Sequence, residues 1–215
     1  MSTTSATRTT PGRLVTPDLR DLLVPGKGTM YNRAPQLARE GHREVVRFDA
    51  REGPGLAWWH DVAFDTGTIA FEVRGKNVPQ HSFVGVAFHG EQIGDEPTYD
   101  AVYFRPFNFL ADDPERRAHM VQYESEPAFP WHRLREERHN QFEASVDPIP
   151  DPNGWFAARI EVGERMVRVY VAGSETASLE VERLSDRRGG WVGYWVGNNS
   201  DGDFAGLTLT PAPRS

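Results

Sequence analysis

The sequence predicts an all-β protein, built as a sandwich of antiparallel sheets or as a barrel. Three observations carry that expectation. The segment Ser82–Asn108 alternates with period two on both sides of a polar loop. Short runs rich in Val, Ile, Phe, Tyr and Trp recur from Val45 to Thr210, punctuated by Gly, Pro, Asp and Asn. Almost no helical period separates them, and many short strands without intervening helices pack as sandwiches or barrels.

At the N-terminal end, residues 1–16 are rich in Ser, Thr, Arg and Gly and read as disordered. Thr16-Pro17-Asp18 offers a cap for a short helix through Leu19, Leu22 and Leu23, which Pro25, Gly26 and Gly28 would end. Strands are expected near 45–50, 56–64, 68–75, 82–90, 99–106, 119–125, 155–162, 166–174, 178–184, 190–197 and 203–210.

The strands at 82–90 and 99–106 form the most informative pair, expected as an adjacent hairpin. Side chains on a strand point alternately to opposite faces. Val84, Val86, Phe88, Val102 and Phe104 therefore make one apolar core face. The other face carries Gly85, Ala87 and Ala101 beside His89, Tyr103 and Arg105. Small residues around an aromatic ring and a cation leave room for a ligand.

Residues 126–154 interrupt the pattern. Five prolines surround a charged stretch whose middle reads as one or two helical turns, with Trp131, Leu134 and Arg135 on one side. Long ordered loops in compact β domains often carry function, and the alternative is a loop that covers the sheet edge.

Composition excludes several classes. The net charge of −7 argues against nucleic acid as a partner, because phosphate neutralisation needs a basic surface. The absence of cysteine removes disulfides and thiolate metal sites. No apolar run is long enough to span a membrane. The opening MSTTSATRTTPGRL has no apolar signal region, so a cytoplasmic location is expected. The histidines show no H-x-x-x-H or H-x-H spacing with a third ligand, and no cofactor fingerprint is present.

The strings SFVGVAFHG (82–90), YDAVYFRPFNF (99–109), VQY (121–123), LREE (134–137), DPNGWFAARIEV (151–162) and LSDRRGGWVGYWVGNNSDGDFAGLTL (184–209) carry a resemblance. Together they are similar to bacterial concanavalin A-like lectin/glucanase domains, near the 3-keto-disaccharide hydrolase domain, itself related to family 16 glycoside hydrolases. The resemblance implies a two-sheet jelly roll with one concave ligand face. It extends over residues 45–210, and we expect one β-sandwich domain over 31–212 after a flexible segment over 1–30. The acidic E-x-D-x-x-E pattern of family 16 is absent, and FEVRG at 71–75 keeps only Glu72.

Within that fold, alternation assigns side chains to the cleft. In MVQYE, Val121 and Tyr123 face the core, whereas Met120, Gln122 and Glu124 share the cleft. In GGWVGYWVGN, Val192, Tyr194 and Val196 are core, and Trp195 stands among glycines as a stacking platform. The expected catalytic set is Glu124 and His89 for proton transfer, with Arg105 steadying oxyanion charge. Arg105 reads equally as one half of a structural ion pair with Glu72 or Glu124. Tyr103, Gln122, Trp195, Glu72, Asn108, Trp131 and Arg135 are the expected substrate contacts. Asn198, Asn199, Asp201 and Asp203 make an oxygen-rich turn that could hold a structural Ca²⁺, an ordinary Asx-rich turn being the other reading.

Two functions fit this reading. One is an intracellular enzyme that hydrolyses or eliminates a glycoside or keto-glycoside, or that serves a biosynthetic pathway as a cyclase or isomerase. The other is a non-catalytic carbohydrate-binding module.

Overall fold

A computed structural model of the chain describes residues 12–213. Of the residues read as disordered, 1–11 lie outside that range.

The first described element is a 3-10 helix over Leu19–Leu23, capped by Asp18, whose side chain accepts from the Arg20 N–H at 2.9 Å. Leu19 and Leu22 are buried in the core, and the Trp59 indole N–H donates to the Asp18 carbonyl at 2.9 Å. The early strands are β1 Gly28–Tyr31, β2 Gln36–Glu40, β3 Arg43–Phe48, β4 Gly55–Ala63 and β5 Gly67–Arg74. The hairpin follows as β6 Val84–Ile93 and β7 Glu96–Phe104. Next come a short helix α1 (Pro114–Ala118), β8 (Val121–Glu126), a second helix α2 (Trp131–Glu137) and a two-residue strand β9 (Glu143–Ala144). The chain ends with β10 Phe156–Val162, β11 Met166–Val171, β12 Leu179–Glu182, β13 Trp191–Val196 and β14 Gly202–Pro211.

These strands form two antiparallel seven-stranded sheets. The front sheet runs β1-β4-β13-β6-β7-β8-β9, and the back sheet β12-β11-β10-β5-β14-β3-β2. This is the expected jelly-roll sandwich. The sandwich starts earlier than residue 31, because β1 pairs with the rim of β4 through Gly28↔Trp59 and its neighbours. β1, β2 and β9 are strands the sequence does not announce. They lie at sheet edges and carry mostly polar or half-exposed residues, so they lack the apolar alternation of an inner strand.

Alternation explains the inner strands. Val84, Val86, Phe88, Val102, Phe104, Tyr123, Val192, Tyr194 and Val196 from the front sheet join Ile69, Phe71, Val73, Ile160 and Phe204 from the back sheet in one core. Each such valine, isoleucine or phenylalanine side chain, fully buried, contributes about 1.5–3 kcal/mol. Met120 belongs to this core too, not to the cleft, since it lies one residue before β8 begins. The outer face of the front sheet carries a second apolar cluster of Leu56, Trp58, Ala87, Tyr99, Ala101, Tyr103 and Trp195. That cluster floors the candidate site. Among the described residues, no helix is long and apolar enough to cross a membrane.

Candidate functional site

A cavity of about 480 Å³ opens on the outer face of the front sheet, within the size range of small-ligand pockets. Its floor comes from β7, β8 and β13. Tyr103, Glu124, Glu126 and Trp195 line it, because alternate positions on adjacent strands share one face. Its walls come from the connections the sandwich leaves on that side. Arg105, Phe107 and Asn108 follow β7, Arg116 and His119 sit on and after α1, and Trp131 and Arg135 project from α2. The long proline-rich segment thus supplies one wall as a seven-residue helix.

The floor is aromatic. The Tyr103 and Trp195 rings stack at 4.6 Å between centroids, and the Trp195 indole N–H donates to the Tyr99 hydroxyl at 3.2 Å. Trp195 is 5% exposed, so it is a packed floor element and not the free-standing platform its glycine neighbours suggest. Trp131 is the open aromatic group, 46% exposed at the cavity wall, with the Arg135 guanidinium 5.3 Å from its ring.

Arg105 is buried, and its donors are engaged within the protein. Its Nη1 donates to Glu143 Oε2 at 2.8 Å and to the His119 carbonyl at 3.2 Å, and its Nη2 to the Tyr103 hydroxyl at 3.1 Å and to Gln122 Oε1. Tyr103 also donates to Gln122 Oε1 at 2.8 Å. The partner of Arg105 is therefore Glu143, in place of Glu72 or Glu124. Arg135 adds a second guanidinium, donating to Glu143 from Nη2 at 2.7 Å and from Nε at 3.3 Å. Burial alone would raise the Glu143 carboxyl. Arg135 and Arg105 outweigh it and hold that group below the ordinary carboxylate range.

Glu124 is the opposite case. It is 2% exposed, and its Oε2 has no hydrogen-bond partner among the described residues. Burial, reinforced by the nearby Glu126 charge and opposed by Arg105, pushes its carboxyl up to about 8. The same burial raises Glu126. Gln122 Nε2, on the same face of β8, is likewise buried without a partner among the described residues.

Asn108 lines the cavity, donating to the His119 carbonyl at 2.9 Å and accepting from Arg116 Nε at 3.1 Å. Three expected site residues do not line the cavity: Gln122 is fully buried beneath it, held by Tyr103 and Arg105, and His89 and Glu72 lie elsewhere. The pairing of β6 and β7 shifts register between Phe88 and Glu91, and His89 adopts a φ of +52° there. The bulge turns its ring away from the cavity, towards Asp100 Oδ2 at 3.0 Å and the Asp65 carbonyl at 2.6 Å, beside Phe64. Glu72 lies on the back sheet, where it accepts from Arg43 at 2.7 and 3.1 Å.

The Asx-rich turn directs its oxygens to other partners. Asp203 accepts from Arg47 and Arg74, Asp201 pairs with Lys76 at 2.8 Å, and Asn198 Oδ1 accepts from the Gly53 N–H at 2.7 Å. The structure instead groups Glu115, His119 and His139, with ligand atoms all within 4.8 Å of one another. Sequence spacing hid this group, because His139 comes from the far end of α2. Glu143, Glu126 and Arg116 were also unmarked. The single available signal was the E-x-E at 124–126, two carboxyls on one strand face.

No family model and no curated protein matches the chain. Solved structures do. The carbohydrate-binding module CBM66 from Bacillus subtilis aligns over 85% of this chain and 95% of its own, with a TM-score of 0.55 and 12% identity. The VIP36 exoplasmic/lumenal domain, bound to Ca²⁺ and Man3GlcNAc, aligns over 87% and 85%, with a TM-score of 0.55 and 12% identity. A proposed glycosyl hydrolase from Parabacteroides distasonis aligns over 87% and 89%, with a TM-score of 0.52 and 9% identity. At such identities the likeness establishes the fold, a concanavalin A-like sandwich shared with lectin-like proteins.

Proposed function

We propose that the cavity binds a glycoside or keto-glycoside of one or two rings, and that the protein cleaves it by hydrolysis or elimination with Glu124 as the proton donor. The observation that carries this reading is Glu124 itself, a buried carboxyl with an unpartnered oxygen at the cavity floor, pushed up to about 8. A carboxyl in that state is protonated at neutral pH and serves as a general acid towards a leaving oxygen. Glu126, two residues along the same strand face, is the second carboxyl that glycoside chemistry uses as base or nucleophile. Tyr103 and Trp195 offer the sugar an apolar floor, and Trp131 a stacking face. Arg105, itself on the cavity wall, acts as a positioning residue that holds the Tyr103 hydroxyl, with the buried Gln122 bracing both from beneath. The keto-sugar substrate rests on the sequence resemblance alone.

A second reading is a carbohydrate-binding module without turnover. The aromatic floor favours it, and so does the likeness to CBM66 and VIP36, which are described as carbohydrate-binding and mannose-glycan-bound respectively. One experiment separates the two. Binding and turnover are measured across a panel of glycosides and 3-keto-glycosides for the native protein and for Glu124→Gln. The enzyme reading expects turnover to fall by about 10²–10⁴ with affinity little changed. Saturable binding without turnover by the native protein selects the binding module. Trp131→Ala should weaken affinity by about 3–10-fold in either case, the worth of one aromatic contact.

A further inference from the structure

We propose that Glu115, His119 and His139 form a site for a divalent transition-metal ion of the zinc class, with Asn140 as a neighbouring oxygen donor. It lies at the rim of the cavity, because His119 belongs to both. The cluster is assembled from two connections. Glu115 and His119 sit one turn apart, on α1 and directly after it, and His139 and Asn140 follow α2.

The geometry converges on one point. Glu115 Oε1 lies 2.7 Å from His139 Nε2 and 3.3 Å from His119 Nε2. His119 Nε2 also lies 2.7 Å from Asn140 Oδ1 and 3.6 Å from Glu143 Oε1. Three oxygens thus face one ring nitrogen, whose single N–H satisfies one of them. A cation among Glu115 Oε1, His119 Nε2 and His139 Nε2 would be ligated by all three, with Asn140 Oδ1 alongside, while Glu143 keeps its Arg105 and Arg135 partners. Zinc holds nitrogen and carboxylate oxygen at about 2.0–2.2 Å, so tetrahedral ligand atoms stand roughly 3.3–3.5 Å apart. The 3.3 Å separation already matches, and the 2.7 Å one opens by rotation of Glu115 and His139, both half-exposed.

Donor chemistry selects the ion. Two imidazoles with one carboxylate suit Zn²⁺, Ni²⁺ or Co²⁺ and not Ca²⁺, which takes all-oxygen sites. His119 is 6% exposed, and its carbonyl is fixed by Arg105 and Asn108, so one ligand is held before the ion arrives. The ion would tie α1 to the end of α2, two walls of the cavity. The inference stands whether the cavity cleaves sugars or only binds them.

The test uses the untagged full-length chain, stripped with a chelator and titrated calorimetrically with Zn²⁺. One ion per chain is expected, together with a melting temperature that rises with free Zn²⁺, because an ion that binds only the folded state stabilises it. His139→Ala and Glu115→Gln, both at exposed positions, should each weaken the affinity at least tenfold, and His42→Ala, outside the cluster, should leave it unchanged. Absence of stoichiometric binding would overturn the site. So would affinity unchanged in either His139→Ala or Glu115→Gln.

Discussion

Replacing Arg105 by alanine should destabilise the protein by about 3 kcal/mol, the lower end of the cost of removing one partner from a buried ion pair. The magnitude follows from the surroundings. Arg105 is 4% exposed and Glu143 5%, so neither charge is screened by water. Removing the guanidinium strips one partner from Glu143 and the second donor from Gln122 Oε1. Glu143 keeps Arg135, which donates to it twice, and this places the loss at the lower end. Arg135 is 34% exposed, so Arg135→Ala should cost only about 1 kcal/mol. For a chain of this size about 3 kcal/mol corresponds to a fall of roughly 6–12 °C in melting temperature. Urea unfolding at pH 7, followed by tryptophan fluorescence, measures both variants. Because Arg105 lines the cavity and holds the Tyr103 hydroxyl, the folded fraction of Arg105→Ala should also lose ligand affinity. Equal losses in the two variants, or a loss below about 0.5 kcal/mol for Arg105→Ala, a surface-like value, would refute the buried-pair argument.

Two further outcomes follow from the same geometry. His89→Ala should cost about 1–3 kcal/mol by removing one buried hydrogen-bond partner from Asp100, which keeps Ser185 and Arg187, while turnover per folded molecule stays at the native value; a large loss of turnover at native stability would return His89 to the chemistry. Stability should fall as pH rises from about 4.5 to about 8, because the folded state keeps the Glu124 proton that the unfolded chain releases. That single group contributes a slope of about −1.4 kcal/mol per pH unit in the window, and Glu124→Gln should remove it; identical pH profiles for the native protein and the variant would contradict the assignment.

The sandwich was readable because its inner strands are half-buried on a pleated surface, and Val84, Val86 and Phe88 against Val102 and Phe104 record that directly. The same counting places Tyr103 and Glu124 at the cavity. It fails at His89, one residue beyond Phe88, because a bulge is a register event that no alternation foresees. Glu143 was missed for a different reason. It lies on a two-residue edge strand inside a proline-rich segment, and only the tertiary fold carries it to Arg105. The grouping of Glu115 with His119 and His139 is invisible for the same reason, since the two histidines stand 20 positions apart in sequence. Glu72, by contrast, has the right chemistry on the wrong sheet.

The account turns on the protonation state of Glu124, and NMR titration of the protein labelled with ¹³C at the glutamate carboxyl carbon measures it directly. The Glu124 resonance is the one absent from Glu124→Gln. The account predicts a midpoint near 8, far above the ordinary glutamate value of 4.5. A midpoint near 4.5 would show a group already ionised at neutral pH, and the proton donor proposed for the cavity would be lost.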